Sequence, residues 1–399
     1  MKLKTLDNLN LEGKKILLRC DLNVPFDLEG KVSDSTKIER HKITIDELIH
    51  KGSKVIIISH LGRPKGKYKE NLSLGKVLNV FAEKIKVPQV TVMPFCKPDI
   101  LKKVVDDLNN GTITFMENIR FHPEEESNDE NFSKKLAECG DYFVNDAFSV
   151  SHRKHVSTYG LSKHLPTFAG RYLELEMRML DKIFNNLNKP VMAIVGGSKI
   201  STKIILLNNL LKKVDILVVG GAMANTFLAA KGYNTGKSLI EKDKLDIAKE
   251  ILEKAEQENC KFILPEDVVV ARNMDEVESI DNVSIENIQT DFSAFDIGEK
   301  TIERISNEMA TCKTIFWNGP LGLYEKEPFD NSTNVIGRTA AILTKGNIIT
   351  SVVGGGDTVA ALNKVNLTGG FSFVSIAGGA LVEWLEGKTL PGLEFLHKS

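Results

Sequence analysis

The chain contains 399 residues, 42% of them hydrophobic and 26% charged, which is typical of a globular protein long enough for two domains. Because 52 basic residues nearly balance 53 acidic ones, the net charge of −1 argues against nucleic acid or an anionic membrane as a partner. No apolar run approaches the ~20 residues of a membrane span, and the amino terminus lacks the apolar core of a signal peptide. A cytoplasmic location is also predicted by the scattered cysteines, which are Cys20, Cys96, Cys139, Cys260 and Cys312.

In the first half of the chain, short β-branched runs end in polar or glycine-containing turns and precede helical segments. The runs occupy residues 14–19, 54–59, 113–116 and 142–145. Such runs are apolar on both faces, as parallel strands are when both sides of their sheet are covered. Their alternation with helices predicts βαβ units in a doubly wound sheet.

Polar and basic residues follow these predicted strands. Each one alone is more often an ordinary surface group. Together they are expected to meet, because the carboxyl ends of parallel strands share one edge of the sheet. Guanidinium groups at that edge suit a small, multiply charged anion such as a phosphorylated carboxylate. The residues are Arg19, Asp21, Asn23, Lys37, Arg40, His60, Arg63, Asn118, Arg120, His122, His152 and Arg153.

A helix is predicted over residues 171–186, between the two halves of the chain. Leu173, Met177, Leu180 and Phe184 recur at helical spacing and form one apolar face. The asparagines and the proline that follow give a clear stop. We interpret this helix as the connector between two α/β domains.

The second half repeats the strand-and-helix pattern, with β-branched runs at 191–195, 215–220, 261–265, 314–317 and 348–353. The predicted fold class is therefore α/β. It comprises two doubly wound domains with mainly parallel sheets, joined by a helix and facing each other across a cleft.

The stretch VVGGGDTVAAL at 352–362 joins one of these strands to a helix. Glycines there allow close approach of a ligand, and the helix amino terminus favours an anion. Asp357 could hold Mg²⁺ and Thr358 could reach a phosphate. On its own, the stretch is explained equally well as a turn capped by an aspartate.

Further glycine turns follow other strands of the second half, at 196–198, 220–221, 319–322 and 377–379. Lys199 and Lys203 lie near the start of a helix, where cations oppose the helix dipole unless an anion is near. Two lysines alone are usually just solvated, but several glycine turns in one domain predict a nucleotide site.

Two other motifs do not support alternative nucleotide sites. GYNTGKS at 232–238 resembles a phosphate-binding loop, but its first glycine is one residue too close and it follows a helical segment. The stretch at 354–359 lacks the third glycine of a dinucleotide fingerprint. A magnesium-nucleotide site in one domain and a phosphoanion site in the other imply phosphoryl transfer. No partnered general base is evident, which fits an acceptor that is already ionised.

These motifs closely resemble the phosphoglycerate kinase family. The matching strings run in family order from residue 19 to 388: RCDLNVP, SHLGRPKG, ENIRFHPEEE, NDAFSVSHR, VGGSK, WNGPLG, GGGDT and AGGALVEWLEGK. The resemblance implies reversible phosphoryl transfer between 1,3-bisphosphoglycerate and ADP, giving 3-phosphoglycerate and MgATP, by a monomeric cytosolic enzyme of glycolysis. It also implies a substrate domain at 1–170 completed by 388–399, a connecting helix at 171–187 and a nucleotide domain at 188–387.

The resemblance also assigns site residues position by position. Lys199, Lys37, Arg153 and Gly356 are expected to be catalytic, and Asp357 to bind Mg²⁺. The 3-phosphoglycerate site is expected to contain Asp21, Asn23, Lys37, His60, Arg63, Arg120 and Arg153. The nucleotide site is expected to contain Gly197, Lys199, Lys203, Gly221, Asn318, Gly322, Glu325, Asp357 and Thr358.

Two positions depart from the family pattern, which usually has Arg at Lys37 and Thr at Ile376. They favour one alternative, a non-catalytic relative that binds nucleotide or phosphoanion. The intact Lys199, Asp357 and Arg120 argue against it. A second alternative, a nicotinamide-dependent oxidoreductase, lacks its fingerprint.

Overall fold

The predicted strands of the first half form one parallel sheet in the computed structural model. The structure describes residues 3–87, 90–93, 98–185 and 187–397, without the side chains of residues 91 and 182–185. The order across the sheet is β3-β4-β2-β1-β5-β6, and every pairing is parallel. The strands are β1 Lys15–Arg19, β2 Lys54–Ile58, β3 Thr91–Val92, β4 Ile113–Phe115, β5 Tyr142–Asn145 and β6 Thr167–Ala169.

The second half forms another six-stranded parallel sheet, in the order β15-β14-β13-β7-β8-β9. A separate antiparallel sheet has the order β11-β10-β12. The strands are β7 Val191–Val195, β8 Ile216–Val219, β9 Lys261–Ile263, β10 Asp267–Ala271, β11 Asp281–Ser284, β12 Ser293–Ile297, β13 Thr314–Asn318, β14 Thr350–Gly354 and β15 Phe373–Ser375.

Helices connect the strands of both parallel sheets. In the first half they are α1 Thr36–Arg40, α2 Lys42–His50, α3 Leu78–Ile85, α4 Pro98–Asp106, α5 Pro123–Ser127, α6 Glu130–Ala137 and α7 Arg171–Asn185. In the second they are α8 Ile204–Leu211, α9 Ala222–Ala230, α10 Leu245–Gln257, α11 Glu299–Thr311, α12 Asn331–Lys345, α13 Gly356–Lys364 and α14 Gly379–Leu385.

Both faces of the first sheet are covered, as its uninterrupted apolar strands require. Ile16 and Leu18 of β1 belong to one hydrophobic core, whereas Leu17 between them belongs to another. The predicted α/β class with mainly parallel sheets is confirmed. The antiparallel sheet was not predicted, because β11 has only one strongly apolar residue, Val283, in the sequence DNVS.

The chain divides into two compact units, one comprising Met1–Asp181 with Thr389–Ser399 and the other Lys182–Lys388. The division falls within α7, the predicted connecting helix. Leu173, Met177 and Leu180 are buried as its apolar periodicity predicted, whereas the side chain of Phe184 and all of Asn186 lie outside the described residues.

The carboxyl-terminal segment packs within the first unit. The backbone N–H of Lys4 donates to the carbonyl of Leu396 at 2.7 Å, and Asn145 Nδ2 donates to the carbonyl of Gly392 at 3.0 Å. In the described part of the chain, no helix combines the length and the hydropathy that crossing a membrane demands.

Candidate active site

The polar residues predicted to meet in the first unit follow four adjacent strands. Strands β4, β2, β1 and β5 are neighbours and run parallel, so their carboxyl ends lie at one edge of the sheet. The loops that leave this edge carry Asp21 and Asn23 after β1, His60 and Arg63 after β2, Arg120 after β4 and Arg153 after β5.

Asp21 is a buried carboxylate with several hydrogen-bond partners at this edge. It is buried, and its Oδ2 accepts hydrogen bonds from Lys37 Nζ at 2.9 Å and from Ser149 Oγ at 2.6 Å. Burial by itself favours the neutral acid and is the largest single influence. The charge of Lys37, the neighbouring His60 and the hydrogen bonds from Ser149 and Lys37 together outweigh it and hold the pKa of Asp21 below its ordinary value. Asp21 is therefore an ionised group that fixes the Lys37 ammonium.

Asn23 and Arg120 are joined through the turn after β2. The backbone N–H of Gly62 donates to Asn23 Oδ1 at 2.8 Å, and the Gly62 carbonyl accepts from Arg120 Nη1 at 2.9 Å. Loops that follow three different strands are thereby held to one another.

Arg120 is a buried cation with unused donors. It is 3% exposed, and its Nε and Nη2 have no hydrogen-bond partner, although Glu126 Oε1 lies 3.3 Å from Nε. Burial and then the charges of Arg153 and Arg19 lower its pKa to about 10. Like-charged guanidinium groups with free buried donors create a strong requirement for an anion.

His60 is buried next to Arg19, whose Nη2 lies 3.1 Å from His60 Nδ1. Burial and then the charge of Arg19 keep the pKa of His60 well below its ordinary value, so the ring is neutral. A guanidinium can only donate, so Nδ1 accepts and the proton resides on Nε2. His60 therefore contributes one N–H donor.

The remaining basic residues of this edge are more accessible. Arg63 is exposed and has no ion pair among the residues that the structure describes. Arg153 is half-buried, and its Nε lies 3.3 Å from His152 Nε2. Arg40, three residues after Lys37, instead donates to the Tyr172 hydroxyl at 3.3 Å and lies over that ring at 5.4 Å. Lys37 thus contacts Asp21, whereas Arg40 packs against α7.

In the second unit, the glycine turns after β7, β8 and β13 pack closely against one another. Gly221 has φ +68°, and a Cβ there would lie 2.7 Å from the carbonyl oxygen and 2.8 Å from the backbone nitrogen of Gly197. Neither the backbone conformation nor the space admits a side chain. At this edge of the second sheet the turns therefore present backbone rather than side chains.

Asn318 and Thr358 hold these turns in place. Asn318 is buried, accepts a hydrogen bond from Lys203 Nζ and donates through Nδ2 to the carbonyl of Gly354 at 3.0 Å. Thr358 Oγ1 accepts from the backbone N–H of Gly319 at 2.6 Å. Burial lowers the pKa of the half-buried Lys203, while the charge of Asp357 opposes that shift.

A cavity of about 440 Å³ opens at the same edge of the second sheet. Of the nucleotide-site residues predicted from the sequence, Gly197, Gly221, Gly322, Glu325 and Asp357 line it. Lys199 is exposed, with no ion pair in the described ranges, and is not among the lining residues. Gly356, the first residue of α13, has open space around its Cα.

Sequence reasoning missed much of the cavity wall. The apolar and aromatic residues are Leu239, Met274, Phe295, Pro320, Leu323 and Tyr324. Lys237 also lines the cavity, although the motif containing it does not follow a strand. These residues lie on loops and on β12, where no strong periodicity marks them. A wall of apolar and aromatic side chains next to small-residue turns suits the ring of a nucleotide base.

Asp357 is the candidate metal ligand. It is exposed in the first turn of α13 and lines the cavity. No cluster of three potential metal ligands occurs within the described residues. One carboxylate lining this cavity fits Mg²⁺, which commonly binds through one or two carboxylates together with substrate phosphates.

Comparison with known proteins agrees with the motifs. The phosphoglycerate kinase family model matches residues 6–388. The phosphoglycerate kinase of Chelativorans sp. (strain BNC1) is 48% identical over 396 residues, 99% of each chain, and that of Sinorhizobium medicae (strain WSM419) is 48% identical over 399 residues, 100% of each. The structure of phosphoglycerate kinase from Coxiella burnetii shares 40% identity, with a TM-score of 0.89 over 99% of this chain and 98% of that one. The chain therefore belongs to the phosphoglycerate kinase family of phosphotransferases.

Proposed function

We propose that the chain catalyses reversible phosphoryl transfer between 1,3-bisphosphoglycerate and ADP, giving 3-phosphoglycerate and ATP in glycolysis. Beyond family membership, the observation that carries the proposal is the buried guanidinium of Arg120, whose Nε and Nη2 donate no hydrogen bond. Burying such donors without partners is costly, and the oxygens of a phosphorylated carboxylate satisfy them.

The small substrate binds at the edge of the first sheet in this proposal. Arg120 supplies its two free donors and His60 supplies Nε2–H, both from buried positions. The exposed Arg63 and the half-buried Arg153 bind the accessible side of the anion. Asp21 holds Lys37 in place, and Asn23 fixes the Gly62 turn. A guanidinium binds phosphate or carboxylate oxygens in pairs, which orients as well as attracts the substrate.

The nucleotide binds in the cavity of the second unit. The apolar wall that includes Tyr324 and Phe295 receives the base. The turn at Gly197 offers its backbone N–H to a phosphate oxygen, whereas the N–H of Gly221 is bonded to the carbonyl of Leu321 at 2.7 Å. Gly221, Gly322 and Glu325 complete the wall. Asn318 and Thr358 serve this site by fixing the turns. Lys203 places a cation next to them.

Asp357 holds the Mg²⁺ that accompanies the nucleotide. When bound, the ion neutralises phosphate charge and orients the phosphates. The contribution of the chain is a single exposed carboxylate at the amino terminus of α13.

The transfer itself needs positioning and charge stabilisation rather than proton removal. The acceptor is a carboxylate that carries no proton at neutral pH. Lys199, Lys37 and Arg153 are the cations assigned to the transferring phosphoryl group, and the Gly356 N–H is the matching backbone donor. Fixed donors act most strongly on charge that develops in the transition state.

Three further parts of the proposal follow from the family pattern. Residues 1–170 with 388–399 form the 3-phosphoglycerate domain, 171–187 the connecting helix and 188–387 the nucleotide domain. Transfer then requires the two bound substrates to be brought together about that helix. The enzyme acts as a monomer in the cytoplasm.

A coupled assay with 3-phosphoglycerate and MgATP tests the proposal. We expect consumption of both substrates with saturation in each. Binding of nucleotide without turnover would instead identify a non-catalytic relative. Omitting Mg²⁺ tests the metal assignment, because turnover should then be lost and should return when the ion is added.

A further inference from the structure

His41 forms a buried bridge beneath the edge of the first sheet. It is 1% exposed, its Nε2 lies 2.9 Å from the backbone nitrogen of Asp21, and its Nδ1 lies 2.7 Å from Asp146 Oδ2. A backbone N–H can only donate, so Nε2 accepts and the ring proton resides on Nδ1. The imidazole therefore accepts from Asp21 and donates to Asp146.

Asp146 continues the bridge to the start of α7. It is fully buried, and its Oδ1 accepts the backbone N–H groups of Tyr172 at 3.0 Å and Leu173 at 3.2 Å. A Cβ at Gly170 would lie 2.1 Å from the same oxygen. The carboxylate thus sits directly against the chain entering α7, where it caps the free donors of the first turn.

At its other end, the bridge determines the placement of Lys37. Anchoring the Asp21 backbone fixes the direction of its carboxylate, which in turn binds Lys37 Nζ. Lys37 belongs to α1, and His41 immediately follows that helix. The segment 37–41 therefore carries both the Lys37 ammonium and the imidazole of His41, which orients the carboxylate that binds this ammonium.

We propose that His41 is a positioning residue for 3-phosphoglycerate, linking Asp21 and Lys37 to the amino terminus of α7. This inference rests on the proposed function, because it assumes that Asp21 and Lys37 serve the small substrate. None of the described residues of the bridge lines the nucleotide cavity. Loss of the bridge is therefore expected to affect the two substrates unequally.

Two substitutions separate hydrogen bonding from packing. His41→Phe keeps a ring against Tyr172, whose centroid lies 5.9 Å away, but removes both nitrogens. His41→Gln restores one acceptor and one donor on a single amide. His164→Phe is the matched control, since His164 pairs with Glu130 at 3.1 Å and takes no part in the bridge.

Steady-state kinetics should show that His41→Phe raises KM for 3-phosphoglycerate about 3- to 10-fold, the range for losing the neutral hydrogen bond that anchors the backbone of Asp21. KM for ATP should stay unchanged, His41→Gln should recover most of the loss, and His164→Phe should behave like the native enzyme. Should His41→Phe fail to fold, Asp146→Asn serves instead, because its amide keeps only one acceptor oxygen. Asp146→Asn should then raise KM for 3-phosphoglycerate while leaving KM for ATP unchanged.

Two results would overturn this inference. One is an unchanged KM for 3-phosphoglycerate in the folded variants. The other is a parallel rise in both KM values, which a merely structural histidine would give. Asp21→Ala separates failure of the inference from failure of the proposed site. If Asp21→Ala impairs 3-phosphoglycerate use while His41→Phe does not, only the role of His41 is wrong. A silent Asp21→Ala refutes both.

Discussion

The two candidate binding edges are constructed from different parts of the chain. In the first unit, side chains form the edge, and they are already charged and bonded before any ligand is present. Asp21 holds Lys37, and Arg120 is buried with free donors. In the second unit, the edge consists mainly of backbone turns around a cavity. Its charged groups Glu325, Asp357 and Lys199 are exposed, and Lys203 is half-buried.

This difference determines how each edge recognises its ligand. A buried guanidinium cluster recognises charge, because its desolvated donors are satisfied only by an anion. An edge built from glycine turns recognises the shape of its ligand, because the closely packed peptide groups leave a cavity that only a ligand of matching shape can fill. Side-chain substitutions should therefore be most harmful in the first unit and glycine substitutions in the second. The turnover rate should be the exception to this rule, since we expect it to depend on the side chain of Lys199, an exposed cation of the second unit.

The largest expected effect is that of Lys199→Ala. If its ammonium meets charge that develops during transfer, kcat should fall by roughly 10²–10³, as for the loss of one preorganised donor. KM for ATP should change little, because the residue is exposed and does not line the cavity. Steady-state kinetics test this, with the exposed Lys212→Ala as control. Equal kcat values for the two variants would remove Lys199 from the mechanism.

Arg120→Gln should be the most damaging change to binding at the first edge. Losing hydrogen bonds to a charged group should raise KM for 3-phosphoglycerate about 10- to 100-fold, while KM for ATP stays constant. Arg178→Gln is the control, since Arg178 is 74% exposed and its ion pair with Glu174 lies on α7, away from the polar loops of this edge. If KM for ATP rises in step, the substitution acts through general misfolding rather than anion binding.

Gly221→Ala probes the backbone-built edge. The positive φ and the contact with Gly197 should lower the free energy of unfolding by about 1–3 kcal/mol. KM for ATP should rise as well, because Gly221 lines the cavity. Denaturant unfolding and kinetics measure both effects. Gly369→Ala is the control, since Gly369 has ordinary φ and no atom within 4 Å of a built Cβ. A tolerated Gly221→Ala would contradict the account of this edge.

Sequence patterns predicted the central strands of both sheets because those strands are long, apolar and buried on both faces. The run at 191–195, for example, coincides with β7. Strands β3, β6 and β15 are edge strands of only two or three residues and were not among the predicted runs. Strands β4 and β9 are as short, but they lie within the apolar runs at 113–116 and 261–265 and were predicted. The antiparallel strands β11 and β12 are largely half-exposed and mixed in composition, so their pairing depends on tertiary contacts.

The candidate sites were predictable where a motif lies directly after a strand, as Asp21 and Asp357 do. The cavity wall was not, because Leu239, Met274 and Tyr324 are brought together by loops far apart in sequence. The His41 bridge was also missed. A single histidine in TKIERHK carries no sequence signal, and its role appears only when Asp21 and Asp146 are seen at its two nitrogens.

The smallest expected effect is a pH dependence of stability, which tests whether the buried carboxyl group of Asp296 in the second unit is charged or neutral. Asp296 on β12 is buried and accepts the backbone N–H of Ser332 at 2.9 Å. Burial raises its pKa to about 7, above the ordinary value of about 3.9. Between these values the folded protein holds a proton that the unfolded chain has released, so stability should fall as pH rises.

The expected loss is about 1 kcal/mol of unfolding free energy between pH 5 and pH 6. Asp296→Asn, which cannot titrate, should flatten this dependence, whereas the exposed Asp281→Asn should not. Both tryptophans, Trp317 and Trp384, belong to the second unit, so their fluorescence during urea unfolding reports on that unit. An Asp296→Asn curve that still declines as steeply as the native one would mean that Asp296 is ionised in the folded state. The second edge would then also rest on a buried charge.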